Sequence, residues 1–479
     1  MEYNIDIPFD QFTVLDISSA DAAALAEASV KFDLPYLSNF LDDAHFAQDF
    51  GESNIRFYAK EICETGTFSV LCPRTGKTVE LSSTYVFDDL STLLFFIDED
   101  TSFALFASDL SLGFPITNYV DFTSKTCLKL HYTFWDIKQK HFSILEGSAI
   151  TVVRAMPESR SVALITGDSN FAHHAWNELS TLMELAKLGL DQSVELYVCH
   201  EPLGPINDIL KSKFKVSAKI SKGQVHPLNG QDKLLVAVGG HRISAENRQR
   251  VLDFAGSQLG KNARKYQQAA KAASNTLWIS VRTRNRTMSN QVAVLSHVAS
   301  KFLDCSPNTC IVLDGHTLPH DHAADTPVLA ELNNGVVHDD KQTIKSITAM
   351  IRESHPDAEI YSTCGLSIPE ALVLAQEVDL YVCHHGTVQH KVGWFANLPG
   401  IVHCNRRVLE TRPAHWVAEK SEVAMLPTYV PDELIVADDD HEYADQIQEN
   451  LATENYHIRD ADEFADFVIG FWHDVRKHN

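Results

Sequence analysis

The feature that most constrains the fold is an alternation of short apolar segments with amphipathic segments, which begins near residue 160. "SVALIT" (161–166), "SVELYVC" (193–199) and "KLLVAVGG" (233–240) resemble strands, and helical spacing of apolar residues follows the first and the third. Short apolar runs are typical of strands buried on both faces, and strands separated by helices form parallel sheets. The pattern therefore predicts a Rossmann-like, doubly wound domain over residues 156–272.

The same alternation restarts after Ser274. The predicted strands are "TLWISV" (276–281), "TCIVLDG" (309–315), "AEIYST" (358–363), "VDLYVC" (378–383) and "GIVHC" (400–404). Helical segments separate them, and the tail "ADEFADFVIGFWHDVRKHN" also has helical spacing. We predict a second Rossmann-like domain over 273–440 and C-terminal helices over 441–479 that pack back on the cleft between the two domains.

Residues 1–155 have a different pattern, rich in aromatic residues. "GTFSVLCPRTGKTVELSSTYVF" predicts two strands joined by a turn at 74–77. "STLLFFIDEDTSFALFASDL" predicts another strand pair around a polar tip at 98–100, and "SSADAAALAEASVKF" predicts a helix after a Ser cap. These signals indicate an α+β accessory domain.

Charge and composition exclude several classes of protein. A net charge of -24 over 479 residues disfavours a nucleic-acid-binding protein, because phosphate binding needs a cationic field. The acidic N-terminus lacks the features of a signal peptide, and no run approaches the ~18 apolar residues of a membrane span. Nine scattered cysteines without a CxxC pair predict reduced thiols. We expect a cytoplasmic protein, and peripheral attachment at the inner face of the membrane stays open.

Because ligands of open α/β sheets bind beyond the carboxyl ends of the strands, the residues after each strand are the candidates for function. Arg282, Arg284 and Arg286 follow "TLWISV", and a helix is expected to begin near Ser289. Three guanidinium groups before a helix N-terminus suit a diphosphate. The alternative is that these arginines pair with surface carboxylates of an acidic protein.

A second candidate segment, "HHGTVQHKVGW", follows "VDLYVC". Gly386 lets the backbone approach a ligand closely, and Thr387 offers a hydroxyl. The predicted phosphate-binding residues are His385, Gly386, Thr387, His390 and Lys391. In the alternative interpretation, His384 is a core residue and His390 lies on a solvated helix face.

Ser367 and Glu370 precede this segment at the spacing of a capping box, with Ser367 as the N-cap. The Glu370 carboxylate is also suited to a ribose, so Ser367 and Glu370 are counted among the candidate donor-binding residues. The capping and ribose interpretations compete at this point.

Acid–base candidates follow "SVALIT", in "GDSNFAHHAWNEL". A base that deprotonates a hydroxyl must be a histidine or a carboxylate, which makes His173, His174 and Glu178 candidates. Adjacent helical residues point about 100° apart, so one of the two histidines is expected to face a ligand. The alternative is a buried structural histidine with Glu178 favouring the first helical turn.

Other chemistries have weaker support. "DGHTLPHDHAAD" (314–325) contains metal-ligating residue types, but a Pro-containing loop gives them no fixed geometry, and we predict no metal site. Acidic triplets occur at 98–100 and 438–440. The first could hold a divalent ion as a DxD motif does in some transferases, but its place in the accessory domain favours a solvated turn. The P-loop, GxGxxG and GxSxG motifs are missing from the sequence, which disfavours NTPases, dinucleotide oxidoreductases and α/β-hydrolases.

Three segments between residues 160 and 410 together resemble the family-61 glycosyltransferases, which have the GT-B architecture. They are "NFAHHAWNELSTL", "LWISVRTRNRTMSNQVAVLSHVA" and "SIPEALVLAQEVDLYVCHHGTVQHKVGWFANLPGIVHCNR". The resemblance implies two Rossmann-like domains, and it implies sugar transfer with inversion and without an obligatory metal or cofactor. It also implies a nucleotide-sugar donor, a UDP-sugar in the first instance, and a glycan, protein or lipid-linked acceptor.

The resemblance further implies roles for individual residues. The residues that would stabilise the departing diphosphate are Arg282, Arg286, His385, Gly386, Thr387 and Lys391. His174 or Glu178 would be the base, with His174 preferred because histidine titrates near neutrality.

Departures from the family pattern keep other functions open. The family's HGA is His385-Gly386-Thr387 here, and His403-Cys404-Asn405 stands where the family has an acidic residue after PG. A separate bacterial lineage of similar design would show such differences. A non-catalytic GT-B-like protein that binds a glycan or assists a transferase is the main alternative, and a sugar epimerase of similar build is another. The sequence does not decide whether the chain forms a homo-oligomer.

Overall fold

The computed structural model describes residues 2–4, 12–42, 60–97, 102–108, 116–130, 136–147, 151–153, 161–229, 233–239, 244–324, 326–422, 424–438 and 454–478. The chain forms two compact units. The first contains Met1–Ser169, His173–Glu201 and Ile206–Ile243, and the second contains Asn170–Ala172, Pro202–Pro205 and Ser244–Asn479.

The first unit begins with a seven-stranded, mostly antiparallel sheet of order β2-β8-β7-β6-β5-β4-β3. The strands of this region are β1 (Glu2–Asn4), β2 (Thr13–Asp16), β3 (Ser69–Leu71), β4 (Thr78–Val86), β5 (Ser91–Ile97), β6 (Ser102–Ser108), β7 (Ile116–Asp121), β8 (Thr126–Lys129) and β9 (Thr151–Val153). The helices are α1 (Ala22–Lys31), α2 (Leu37–Asp42), α3 (Lys60–Thr65) and α4 (Gln139–Gly147). β1 pairs only with β9 among the described strands.

Both predicted hairpins of this region are confirmed, because β3 pairs antiparallel with β4 and β5 pairs antiparallel with β6. The predicted helix is α1, but its N-cap is Asp21, whose carboxylate accepts the Ala24 N–H, and not a serine. The acidic tip at 98–100 lies outside the described residues.

A parallel sheet of order β12-β11-β10-β13 completes the first unit. Its strands are β10 (Ser161–Thr166), β11 (Glu195–Val198), β12 (Lys215–Lys219) and β13 (Lys233–Ala237). Its helices are α5 (Phe171–His173, which begins in the second unit), a π-helix at His174–Leu179, α6 (Ser180–Lys187) and α7 (Ile206–Leu210), with 3₁₀ turns at Leu190–Gln192, Lys222–Gln224 and His226–Leu228.

The N-terminal sheet covers the open edge of this parallel sheet. Thr84 Oγ1 accepts the Leu235 N–H at 2.9 Å, and Thr92 Oγ1 accepts the Ala237 N–H at 3.2 Å. Val86 packs in one apolar cluster with residues of β10 and β13. Side chains of β4 and β5 thus occupy edge groups that would otherwise be available to pair with another chain.

The second unit is built on a six-stranded parallel sheet. Its strands are β14 (Asn275–Ser280), β15 (Thr309–Asp314), β16 (Glu359–Ser362), β17 (Leu380–His384), β18 (Gly400–His403) and β19 (Thr428–Tyr429), and β20 (Ile435–Ala437) pairs separately with β21 (Tyr456–Ile458). The helices are α8 (Ala245–Ser257), α9 (Lys261–Ala272), α10 (Gln291–Cys305), α11 (Pro327–Ser354), α12 (Ile368–Ala375), α13 (Thr387–His390), α14 (Arg406–Thr411), α15 (Pro413–Lys420) and α16 (Ala461–His478). A π-helix at Lys391–Phe395 and 3₁₀ turns at His322–Ala324 and Asp432–Leu434 complete the unit.

The strand order of this sheet is β16-β15-β14-β17-β18-β19, which is the 3-2-1-4-5-6 order of a Rossmann fold when the strands are counted from β14. Helices α10 and α11 pack on each other, α10 also packs on α16, and α12 packs on α8 and α9. The two sheet orders confirm the predicted α/β class, with two Rossmann-like parallel sheets and an N-terminal α+β region. The order also places the topological switch between β14 and β17.

Across the described residues, no helix has both the length and the apolar character needed to cross a bilayer. All nine cysteines are described, and none forms a disulfide.

Candidate functional site

The switch point of the second sheet brings the two predicted phosphate-binding segments together. β14 and β17 are parallel neighbours in the register Leu277 with Leu380 and Ile279 with Val382. Arg282 follows the carboxyl end of β14, and Gly386 follows that of β17. Ligands of open parallel sheets bind in the crevice at this position.

Residues 282–290, here called the arginine loop, are fixed by their own hydrogen bonds. Arg282 Nε donates to the Asn285 carbonyl at 2.6 Å, and an Arg282 terminal nitrogen donates to Asn285 Oδ1 at 2.8 Å. The Gln291 side chain accepts the Arg282 N–H at 3.2 Å and donates to the Arg282 carbonyl at 2.7 Å. Asn285 therefore orients the guanidinium, and Gln291 closes the base of the loop.

The arginine loop meets the glycine at the end of β17. Arg286 has φ +59°, which is uncommon for a residue with a side chain, and Gly386 has φ +120°. A Cβ built on Gly386 would lie 3.5 Å from a terminal nitrogen of Arg282 and 3.9 Å from one of Arg286. Glycine thus leaves the space in front of two guanidinium groups open.

The positive charge at this position comes from the arginines and not from the histidine. Burial, and then the charge of Arg286, lower the pKa of Arg282 to about 10, so that it stays protonated at neutral pH. Burial, followed by the charges of Arg286 and Arg282, lowers the pKa of His385 to about 3. His385 is therefore a neutral hydrogen-bonding group beside two like charges, an arrangement that a bound anion would relieve.

Lys391 is placed differently from the sequence prediction. Its ammonium group lies 2.8 and 3.0 Å from the two carboxylate oxygens of Asp314, and both side chains are buried. Asp314 also accepts the hydroxyl hydrogen of Thr363 at 2.5 Å. The charge of Lys391 is therefore neutralised inside the fold.

The remaining residues of this segment divide between the surface and the interior. Thr387 is half-buried, and its hydroxyl accepts a hydrogen bond of 3.3 Å from Asn170, which belongs to the same unit. His390 is buried and does not lie on a solvated helix face. His384 is fully buried with Nδ1 3.0 Å from Ser280 Oγ, which matches its interpretation as a core residue.

The capping box predicted at Ser367 is formed. Ser367 Oγ accepts the Glu370 N–H at 3.3 Å, and Glu370 Oε2 accepts the Ser367 N–H at 3.0 Å. The other oxygen of Glu370 accepts the Gly260 N–H at 3.1 Å. Both carboxylate oxygens thus have backbone donors, and a ribose-binding role for Glu370 stays a prediction.

Arg284 is exposed, and its charge acts toward the neighbouring strand end. Burial is the main cause of the lowered pKa of His316, about 4, to which Arg284 contributes. His316 Nε2 lies 3.0 Å from Asn333 Oδ1.

No set of three or more His, Cys, Asp or Glu side chains within the described ranges is placed to hold a metal ion.

The acid–base candidates of the first unit form a buried pair. His174 Nδ1 lies 2.5 Å from Glu178 Oε2, and both side chains are fully buried. The backbone N–H groups of Gly167 and Asp168 donate to Glu178 at 2.8 and 3.0 Å. Because a carboxylate only accepts, His174 Nδ1 donates to it, and in the neutral imidazole Nε2 then carries the lone pair.

The local backbone of this pair is unusual in two ways. His174 and Glu178 lie in a π-helical turn, and such turns are frequent at functional sites. Gly167 has φ +115°, and a Cβ there would lie 2.2 Å from the His200 backbone nitrogen. His174 Nε2 has no hydrogen-bond partner in the described structure. An orphaned buried nitrogen of this kind requires an explanation.

His173 takes a different environment from its neighbour. It is half-buried, with Nδ1 3.3 Å from Asn177 Oδ1 and its ring edge-on to Trp176. The two adjacent histidines thus lie in different environments, and which of them faces a ligand stays a prediction. Neither Asn285 nor Gln291 was identified from sequence, although both lie within or directly after the arginine segment.

Comparisons with known proteins give remote structural similarity only. Neither a protein-family model nor a curated protein matches the sequence. A Methanocaldococcus jannaschii UDP-GlcNAc 2-epimerase in complex with UDP-GlcNAc and UDP is 12% identical over 56% of this chain and 65% of its own, with a TM-score of 0.25. The Escherichia coli heptosyltransferase WaaC with ADP is 9% identical over 65% and 73%, with a TM-score of 0.26.

TarM is 9% identical over 99% of this chain and 93% of its own, with a TM-score of 0.21. Similarity at this level does not assign a function. The Rossmann strand order and the residues at its switch point are therefore the grounds on which a function can be assigned.

Proposed function

We propose that the chain is a GT-B glycosyltransferase, related to family 61, that transfers a sugar with inversion from a nucleotide-sugar donor. The observation that carries the proposal is the meeting of Arg282, Arg286 and Gly386 at the switch point of a Rossmann-ordered sheet. Two cations before a glycine that leaves space for a ligand, one of them held by Asn285, suit the diphosphate of such a donor.

The chemical role of this site is to stabilise the leaving nucleoside diphosphate. Charge develops on the diphosphate as the bond to the sugar breaks, and preoriented donors in a partly desolvated site stabilise that charge most. Removal of one such donor typically costs about 3–4 kcal/mol of transition-state stabilisation. His385 would add a neutral hydrogen bond, since its pKa of about 3 keeps it uncharged.

The base would be His174, with Glu178 as the group that orients it. Glu178 holds the Nδ1–H of His174 and is itself fixed by two backbone N–H groups. With Nδ1 donating to Glu178, Nε2 of the neutral imidazole would accept the proton of the acceptor hydroxyl. The acceptor hydroxyl would belong to a glycan, a protein or a lipid-linked saccharide, and a UDP-sugar is the first donor to test.

The donor site is tested by nucleotide binding. We expect UDP, GDP or CMP to bind the wild type at low millimolar concentration or below, which calorimetry and thermal shift both detect. Arg282→Ala should raise Kd about 10- to 100-fold, because hydrogen bonds to charged groups contribute about 1.5–3 kcal/mol. Arg352→Ala, an exposed arginine of α11, is the matched control. Binding that is equal in both variants would contradict the diphosphate role.

The base is tested separately by turnover. His174→Gln should lower kcat by about 10²-fold or more and leave nucleotide Kd unchanged, because general-base catalysis contributes about 10²–10⁴-fold. His173→Gln is the matched neighbour and should keep most of the activity. Equal losses of kcat in the two variants would reject the assignment to His174.

One observation favours a second candidate, a non-catalytic GT-B-like protein that binds a glycan or assists a transferase. His174 and Glu178 have no exposed surface, whereas a base must come within hydrogen-bond reach of its substrate. Such a protein would bind a glycan but release no sugar from any donor. A donor panel assayed for both hydrolysis and transfer distinguishes the two functions.

A further inference from the structure

A short segment near the C-terminus, Glu454–Ile458, is hydrogen-bonded to the arginine loop. Thr287 N–H donates to Asn455 Oδ1 at 2.9 Å, and the Tyr456 N–H donates to the Thr287 carbonyl at 3.1 Å. The Ser289 N–H donates to the Tyr456 carbonyl at 2.8 Å. Three hydrogen bonds from backbone N–H groups thus join Glu454–Ile458, here called the C-terminal strap, to Thr287 and Ser289 of the arginine loop.

The strap is also joined to the last residue of the loop and to the segment after β18. Asn290, at the N-cap position of α10, donates to the Ile458 carbonyl at 2.8 Å and accepts the Ile458 N–H at 3.1 Å. Asn405, directly after β18, donates to the Glu454 carbonyl at 3.0 Å. The strap therefore bridges the start of α10 and the end of β18.

The Tyr456 side chain extends this bridge under the switch point. It is fully buried, and its hydroxyl lies 2.6 Å from His403 Nδ1. The His403 ring lies edge-on to His384, with 4.3 Å between ring centroids, and His384 bonds to Ser280 at the end of β14. Tyr456 thus contacts the end of β18 and is linked through His403 and His384 to the ends of β17 and β14, which carry the anion site.

The two buried histidines, His384 and His403, carry no charge near neutral pH. Burial lowers the pKa of His403 to about 3, and burial followed by the nearby His403 lowers the pKa of His384 well below its usual value. Both imidazoles are neutral near pH 7. Because neutral, closely packed rings supply no charge to an anion, their contribution to the site is to its shape and stiffness.

We propose that the C-terminal strap is a positioning element of the anion site, in which Tyr456 and Asn455 act on the ligand through Arg282 and Arg286. The inference depends on the nucleotide-binding function proposed above and adds to it a segment that does not touch the ligand. A site that is held in its binding geometry before the ligand arrives loses less entropy on binding. Weakening the strap should therefore weaken nucleotide binding without removing any ligand contact.

The decisive experiment is a double-mutant cycle measured by calorimetry. Tyr456→Phe keeps the buried ring and removes the hydroxyl that contacts His403. With whichever of UDP, GDP or CMP binds the wild type most tightly as the probe, we expect Kd to rise about three- to tenfold, the range for one lost hydrogen bond. In an Arg282→Ala background the same change should alter Kd less than about twofold, because coupled residues are not additive.

Two further variants make the test specific. Tyr361→Phe removes a hydroxyl that donates to Glu359 at 2.7 Å elsewhere in the unit, and it should leave Kd unchanged in both backgrounds. Asn455→Ala removes the side-chain acceptor of Thr287 N–H at an exposed position, so it tests the strap even if Tyr456→Phe does not fold. It should show the same dependence on Arg282.

The outcomes separate this inference from the function on which it depends. An equal Kd effect of Tyr456→Phe and Asn455→Ala with and without Arg282 would mean a general structural role and would overturn the inference alone. Arg282-dependent binding that neither variant weakens would also overturn it alone. A wild type that binds none of the three nucleotides would overturn the proposed function and the inference together.

Discussion

Replacing Lys391 by methionine tests whether this residue serves the fold or the ligand. The Lys391 side chain is 2% exposed, and its ammonium group lies 2.8 Å from the carboxylate of Asp314, whose side chain is 0% exposed. Methionine removes the charge with little change in volume and leaves the Thr363 hydroxyl as a side-chain donor to Asp314. An uncompensated buried charge remains, which is the expensive half of a broken ion pair.

The magnitude depends on the burial of both groups. Breaking a buried pair by removing one partner costs about 3–5 kcal/mol of the free energy of unfolding. In a domain of 150–250 residues, 1 kcal/mol corresponds to about 2–4 °C in Tm, so we expect Lys391→Met to lower Tm by about 6–20 °C. Removal of both charges, by Lys391→Met with Asp314→Leu, should cost less than the single change, because no unpaired charge is left.

Thermal and urea unfolding followed by circular dichroism measure these differences. Lys345→Met, an exposed lysine on α11, is the control and should change the free energy of unfolding by less than about 0.5 kcal/mol. At a temperature where the variant is folded, nucleotide Kd should stay within about threefold of wild type, since the Lys391 donors already bond to Asp314. The reasoning is refuted if Lys391→Met is as stable as Lys345→Met but no longer binds nucleotide.

Three further predictions concern pH, helix capping and metal removal. His403 has a folded pKa of about 3 against an ordinary 6.5, so the unfolded chain takes up the proton first as pH falls. His403→Gln should therefore reduce the loss of unfolding free energy between pH 7 and 5 by about 2 kcal/mol relative to the wild type. A pH dependence that is identical in His403→Gln and the wild type would contradict the buried neutral state. Ser367→Ala removes the N-cap of α12 and should cost about 1 kcal/mol in urea unfolding, an effect that Ser367→Thr should largely restore. In a transfer assay EDTA should leave activity largely intact, and full inhibition that Mn²⁺ reverses would restore a metal-dependent mechanism.

The two parallel sheets were predictable because their signals are local. Each strand is a short apolar run, and helical spacing follows most of them, so "TLWISV" and "VDLYVC" are recognisable without knowledge of their neighbours. The same locality identifies the arginines and Gly386 as residues that follow strands. Their convergence then depends only on the rule that the carboxyl ends of parallel strands share one edge of the sheet.

Contacts between distant parts of the chain are not predictable in the same way. The sequence suggests a phosphate-binding Lys391 because a lysine in a loop after a strand usually has a free charge, but its partner Asp314 is 77 positions away. For His390, helical spacing alone does not fix which face of its helix is buried. The capping box of Glu370 is predictable because both partners lie within four residues. Burial and pairing of the other residues are properties of the packed structure.

The proposed anion site also contains two features that lower the stability of the protein without a ligand. Arg286 has a backbone conformation that costs about 1–3 kcal/mol for a residue with a side chain. Its charge also lowers the pKa of Arg282, second only to the effect of burial, so the two guanidinium groups repel each other. Glycine at position 286 would relieve the backbone conformation, and a greater separation of the two guanidinium groups would weaken their repulsion. Local rules are broken together at this strand end, and the strap and Asn285 fix that arrangement in place, which is what the proposed anion site requires.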